Sequence, residues 1–298
     1  MKKFINKNVS IKLKIIYHDY HCKTALYQLK RKGLPYSFDL NIYRGCLHNC
    51  QYCYARKSHQ YLNSNEFESE IFVKRNIAEV LEKELKDGKT GRKFINIGSV
   101  CDSYQPAEEK FKLMPDILKV LIKYRQPVII STKSDLILRD IELIDRLAHS
   151  TRVNIAVTIT SDNKEISSKV EPGASIPEER WKVLQACKKT KASTGFHFFP
   201  ILPFLSDDEK TMENMVRKAS EAEVDYMLSG MLYLSGNIKE KYFNFITREF
   251  PQFYSAYVNL YPRGKANTNY KSRIHTFLGK MRKKYGVKTL SENHSFLT

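Results

Sequence analysis

Two hydrophobic periods take turns along this chain. Short runs rich in β-branched and aromatic residues, at 39–43, 93–99, 126–132, 153–160, 195–202 and 224–232, predict strands. Between them apolar residues recur three and four positions apart, as helices require. Residues 74–87 put Ile77, Val80, Leu81 and Leu85 on one helical face. Residues 111–124, 139–149, 176–189, 207–222 and 238–250 read the same way, and Pro177 stands just inside the start of its helix.

Six strand–helix units in succession predict a parallel sheet covered by helices, an α/β protein. Six units are two fewer than a closed eightfold barrel needs. The periodicity alone therefore allows either an open doubly wound sheet or an incomplete barrel. Barrel chemistry gathers at the C-terminal ends of strands, and the polar segments here lie there: GSVCDSYQP (98–106), STKSD (131–135), TITSDN (158–163), KVEPGASIPEER (169–180) and FPILPFLSD (199–207). Turns favour Ser, Asp, Asn and Pro for conformational reasons. Lys133 and Glu171, beside strand ends, are not explained that way. A basic helix is expected over 271–285. No repeat, low-complexity tract or domain boundary stands out, so 1–298 is expected to be one domain, with a core at about 38–250 and a basic C-terminal extension at about 262–298.

Composition narrows the class. In 298 residues, 42% are hydrophobic, enough for a full core and against global disorder. No apolar run approaches the ~18 residues of a membrane span. The start, MKKFINKN, is basic but has no apolar stretch behind it, unlike a secretion signal. A cytoplasmic protein is expected. The net charge of +18 favours a polyanionic partner such as nucleic acid or a nucleotide, although lysines spread over solvated helix faces give the same total. Basic zones at 31–44, 261–275 and 280–288 are interleaved or flanked by Tyr261, Tyr270, Phe277 and Tyr285, a combination of charge and stacking that suits single strands.

Three of the six cysteines share one loop, RGCLHNCQYCYAR. Cys46, Cys50 and Cys53 have the spacing C-x3-C-x2-C. Three thiolates so placed can hold three irons of a cubic iron–sulfur cluster, which leaves the fourth open to a ligand. Zinc sites bring paired half-sites, and Cys22, Cys101 and Cys187 supply none. Clustered cysteines without a secretion signal point to metal chemistry in a reducing compartment rather than to disulfides.

That spacing, with the aromatic Tyr52 before the last cysteine, resembles the radical S-adenosylmethionine (radical SAM) superfamily. DLNIYRGCLHNCQYCYAR, CDSYQPAE, STKSDLILRDIELI and KVEPGASIPEERWKVL resemble more narrowly its spore photoproduct lyase-like, or DNA repair photolyase-like, branch, over roughly residues 23–207. The resemblance implies a partial (β/α)6 TIM-like barrel with a short N-terminal extension. It also implies a 4Fe-4S cluster on the three cysteines, with S-adenosyl-L-methionine at the open iron. Reductive cleavage would give a 5′-deoxyadenosyl radical that abstracts hydrogen from a nucleic-acid base or nucleotide. The electron would come from a donor such as flavodoxin or ferredoxin. Carried over position by position, Tyr52 approaches the adenine and Tyr54 the active site. Ser99 and Asp102 line the cofactor, Lys133 pairs with its carboxylate, and Thr160 or Ser161 hydrogen-bonds it. Glu171 and Arg180 are further candidates, Arg180 suiting a helix surface equally well. The lyase's hydrogen-donating cysteine aligns with Ser99, whereas this chain has Cys101 two positions on. Either a displaced donor or a small buried residue suits that site. Two other readings remain: a radical enzyme acting on a peptide or protein, and a nucleic-acid-binding module with a structural or redox-sensing cluster.

Overall fold

The structure is a computed structural model that describes residues 14–31, 33–62, 64 and 66–292. The basic start of the chain and positions 293–298 of the expected extension lie outside the described residues. Ten strands are present among the described residues: β1 (Ile16–Tyr20), β2 (Leu26–Gln28), β3 (Phe38–Leu40), β4 (Tyr43–Arg44), β5 (Glu70–Lys74), β6 (Ile95–Ile97), β7 (Val128–Thr132), β8 (Val153–Thr158), β9 (Ser193–Ile201) and β10 (Tyr226–Met231). The six expected strands stand side by side in chain order, β3-β6-β7-β8-β9-β10, and every neighbouring pair is parallel. β2 pairs antiparallel on the outer edge of β3. Helices fill each connection, including Ile77–Lys86, Met114–Lys123, Ile141–Ser150, Pro177–Cys187 and Glu209–Glu221, with Asn237–Glu249 following β10. The architecture is α/β with a mostly parallel sheet, an open (β/α)6 barrel.

The register sorts side chains into two faces, because alternate residues of a strand point to opposite sides. Phe38, Ile95, Val128 and Val153 align on the outer face, as do Leu40, Ile97, Ile130 and Ile155, and all eight are buried in the core against the helices. The inner face is different. Its first layer is Asp39, Asn96, Ile129, Asn154 and Ser193; the next is Ser131, Ala156, Gly195 and Tyr226; above come Thr158, His197 and Leu228. The lower interior is closed by Tyr226, which donates a hydrogen bond to Asn154 Oδ1 at 2.9 Å and packs with Phe94, Ile129, Ala156 and Leu290. Gly195 makes this possible, since a Cβ there would stand 2.2 Å from the Tyr226 ring. Above Tyr226 the interior carries the polar Thr158 and His197 beside Leu228.

Two expected elements are divided. The strand expected over 39–43 breaks after Leu40, and Tyr43–Arg44 joins a second sheet, β1-β5-β4, in which β1 and β5 are parallel and β4 is antiparallel to β5. The helix expected over 111–124 is two, Ala107–Phe111 and Met114–Lys123. Lys112 between them has φ 48°, and Pro115 sits in the first turn of the second. The basic helix spans Thr268–Tyr285 and buries Ile274 and Leu278. The chain then returns to the barrel, where Lys288 O accepts from Met227 N at 2.8 Å on the free edge of β10. No described helix is long and apolar enough to cross a membrane.

Candidate functional site

The second sheet launches the cysteine loop. Gly45 follows β4 with φ +86°, and a Cβ on it would lie 2.3 Å from Glu70 O. Cys46 N donates to Phe67 O at 2.9 Å and Cys53 N to Cys50 O at 3.1 Å. Gln105, fully buried, clamps the start of the loop: its Oε1 accepts from Leu47 N at 2.8 Å and its Nε2 donates to Gly45 O at 3.0 Å. Arg56 Nη2 donates to Cys50 O at 3.1 Å and to Asn49 Oδ1 at 2.8 Å. On the other side, Gln51 N donates to Val170 O at 2.9 Å and Gly173 N to His48 O at 3.1 Å. A Cβ at Gly173 would stand 1.9 Å from Leu47 O, so these two loops meet backbone to backbone.

Cys46 and Cys50 are buried and Cys53 partly so. Burial pushes the Cys50 thiol up to about 12 even with Lys133 nearby, and Cys46 well above its usual value. Such thiols give up their protons to a strong Lewis acid such as iron. Among the described residues no three His, Cys, Asp or Glu side chains converge as ligands of a single ion.

Beside the loop, the structure brings together Tyr52, Lys133, Glu171 and Arg180. Arg180 is fully buried rather than on the helix surface: Nη1 donates to Glu171 Oε2 at 2.6 Å and to Thr158 O at 3.1 Å, and Nε donates to Ser175 O at 2.7 Å. The Tyr52 hydroxyl donates to Glu171 Oε1. Burial favours a protonated Glu171, but the Arg180 guanidinium and Lys133 ammonium outweigh it and hold the carboxyl below the usual range. Lys133 is the converse: burial opposes its charge, and the Cys50 sulfur when ionised, with the carboxylates of Glu171 and Asp102, outweighs that and holds its pKa above the usual value. Its Nζ lies 5.9 Å from the Tyr52 ring centroid. Two polar atoms of this region, Arg180 Nη2 and Thr160 Oγ1, are buried and have no protein partner. Buried polar atoms are rarely left so. A ligand bearing a carboxylate would satisfy donors of this kind.

The other expected residues lie as follows. The Asp102 carboxylate accepts from Lys133 N at 2.7 Å, from Thr132 Oγ1 at 2.9 Å and from Tyr104 N at 2.9 Å, with His48 Nδ1 3.4 Å away. It is thereby committed to tying the second and third strand ends to the cysteine loop. Burial lowers His48 to about 4 and keeps it neutral. The Ser99 carbonyl accepts from the Tyr54 hydroxyl, and its Oγ accepts from Asn41 Nδ2 at 3.1 Å. Tyr54 is 60% exposed. Cys101 is 2% exposed and directs its thiol to Tyr43 O at 3.0 Å. Ser161 is buried and accepts from Asn163 N at 3.1 Å, a turn contact. Sequence reasoning passed over Gln105, and gave His48 only an odd offset inside the cysteine loop, unsuited to a zinc site. Both stand inside the quoted motifs, but nothing local marks a clamp whose partners are about sixty residues distant.

The family model described as the radical SAM superfamily matches residues 40–218. An uncharacterized protein of Mycobacterium tuberculosis (strain ATCC 25618 / H37Rv) is 32% identical over 254 residues, which cover 84% of this chain and 75% of the relative. An uncharacterized protein of Methanocaldococcus jannaschii is 32% identical over 170 residues, 57% of this chain and 62% of that protein. In fold, the chain is similar to spore photoproduct lyase complexed with dinucleoside spore photoproduct. The TM-score is 0.65 at 12% identity, covering 92% of this chain and 81% of that one. A mutant of that lyase with bound AdoMet and dinucleoside spore photoproduct gives 0.64 at 11% identity, with the same coverage.

Proposed function

Because the chain belongs to the radical SAM superfamily, we propose that it is an enzyme that reductively cleaves S-adenosyl-L-methionine and abstracts hydrogen from a nucleic-acid base or nucleotide. Cys46, Cys50 and Cys53 would hold a 4Fe-4S cluster through their thiolates. Bound there, the cluster and S-adenosyl-L-methionine would supply a one-electron reductive cleavage, the source of a 5′-deoxyadenosyl radical and methionine.

The chain's own residues then bind and orient. Lys133 and Arg180 offer positive charge to the cofactor carboxylate, and Thr160 offers a hydroxyl. Glu171 fixes the Arg180 fork and the Tyr52 ring, so the cation and the aromatic face are set before ligand arrives. The observation that carries this reading is the unpartnered buried Arg180 Nη2, on the charged cluster beside Cys50, with Thr160 Oγ1 likewise buried and unpartnered. Asp102 and Ser99 shape the pocket indirectly, one through Lys133 and the other through Tyr54. Of the two catalytic candidates, Tyr54 and Cys101, exposure favours Tyr54 as the hydrogen-atom donor, and Cys101, with its thiol turned to Tyr43 O, serves as a small buried residue.

Three observations support the nucleotide class: the +18 charge, the basic helix Thr268–Tyr285, and the fold likeness to a lyase that binds a dinucleoside. We further propose one functional unit located in the cytoplasm, supplied with electrons by a flavodoxin- or ferredoxin-type partner. The test is anaerobic reconstitution with dithionite and S-adenosyl-L-methionine. The expected product is 5′-deoxyadenosine; a fully assembled cluster that yields none would overturn the enzyme reading.

A further inference from the structure

The open upper part of the barrel interior holds an aromatic surface that the cofactor residues leave unused. Phe199 of β9 is 46% exposed, unusual for a phenylalanine on a barrel strand. Gly230 of β10 lies against it: a Cβ built there would stand 2.3 Å from Phe199 Cδ2 and 2.4 Å from Cε2. One edge of the ring is thus seated over bare backbone, and much of the rest of the ring stays open. His197 and Leu228 are register partners on the same inner face one step down, and Leu228 is 37% exposed.

His197 is held in one tautomer by its neighbours. The Tyr226 hydroxyl gives its proton to Asn154 Oδ1 and keeps an oxygen lone pair 3.2 Å from His197 Nε2. Nε2 must therefore carry the hydrogen, which leaves Nδ1 a bare acceptor. Burial, reinforced by Lys133, lowers the ring to about 4, so it is neutral at physiological pH. Beyond Gly230, exposed Tyr233 has Lys265 Nζ 5.6 Å from its ring centroid, with exposed Arg263 two residues before that lysine. A flat apolar surface, a fixed acceptor beside it and a cationic rim suit one ligand class: a planar heterocycle with an edge N–H, carried on a phosphate.

We propose that this region is the substrate's nucleobase subsite, with Phe199 as its stacking surface and His197 Nδ1 accepting a hydrogen bond from the base edge. It rests on the reading of the barrel as the reacting chamber. The base it takes belongs to the substrate, not to the adenine of the cofactor.

The test is calorimetric titration of the reconstituted protein, saturated with S-adenosyl-L-methionine, with thymidylyl-thymidine, whose imide N–H suits His197. Phe199→Ala is expected to weaken binding roughly tenfold or more, as loss of one base stack does, and Phe199→Tyr to preserve it. Gly230→Ala, which collides with the ring, is expected to weaken binding in the wild type and to have no added effect on a Phe199→Ala background. A probe methylated at both imide nitrogens is expected to lose affinity for the wild type but not for His197→Ala. Melting temperatures of the metal-free proteins identify variants that are merely unfolded. Unchanged affinity in folded Phe199→Ala would overturn the proposal, as would equal binding of an abasic dinucleotide, no binding by the wild type, or competition with S-adenosyl-L-methionine. The 5′-deoxyadenosine assay is read separately. Its failure removes the radical reading while the titrations still decide the subsite.

Discussion

Glu171 Oε2 accepts a hydrogen bond from Arg180 Nη1 at 2.6 Å, and neither side chain reaches solvent. The two are nine residues apart, one ending a short helix and the other in the first turns of the next. A buried ion pair costs desolvation on both sides and holds only if its remaining polar atoms are used. Here Tyr52, Thr158 and Ser175 use most of them, and Arg180 Nη2 is left over.

Removing one partner leaves the other charge stranded. Arg180→Met is expected to destabilise the metal-free fold by about 3–5 kcal/mol, measured by urea unfolding. Glu171→Gln is expected to cost less, because the amide still accepts from Arg180.

The pair also sets an acid limb. Glu171 has its carboxyl pKa held below the unfolded value, so its contribution is fully present at neutral pH. It is lost as pH falls through and below the ordinary carboxylate range, about 4. Wild-type stability is expected to decline there more steeply than that of Glu171→Gln; parallel curves from unfolding at a series of pH values would reject the assignment.

Cys50→Ala is expected to lose the visible absorption of the cluster, its iron and its sulfide after reconstitution, along with all 5′-deoxyadenosine formation. Cys46→Ala and Cys53→Ala should do the same, since each thiolate would serve a separate iron.

Lys133→Ala is expected to assemble the cluster normally but to bind S-adenosyl-L-methionine about ten- to a hundredfold more weakly, the usual loss for a hydrogen bond to a charged group. Equilibrium dialysis of the reconstituted protein reads this directly. Unchanged affinity would remove Lys133 from the cofactor site.

Gln105→Ala leaves Leu47 N and Gly45 O without their buried partner, at a cost of about 1–3 kcal/mol. The variant should release iron faster to a chelator than the wild type, with the cysteines intact. Cys101→Ala, by contrast, should leave the product distribution unchanged and cost only about 1 kcal/mol in stability. A shift in products would give its thiol the hydrogen-donor role.

The parallel strands were legible because each is short, apolar on the helix side and followed by an amphipathic helix. The second sheet was not. β1 and β5 are five residues each and pair across fifty-four positions, and β4 is a two-residue fragment of what reads as one strand with β3. Nothing local announces that the chain changes sheets at Asn41. The same distance effect governs the site. Cysteine spacing is a local signal, so the loop declared itself. Whether Arg180 faces solvent or the interior depends on Glu171, Thr158 and Ser175 converging on it, and Asp102 reads as a lone acidic residue until Lys133 N and Thr132 are brought to it.

The contact of Gly173 with Leu47 admits no side chain between the two segments, since even a methyl carbon would stand 1.9 Å from the Leu47 carbonyl oxygen. Gly173→Ala is therefore expected to push the 170–175 segment off the loop around the cysteines and to loosen the bonds from Gly173 N to His48 O and from Gln51 N to Val170 O. Chemical labelling of Cys46 and Cys50 in the apoprotein should be faster in that variant than in the wild type.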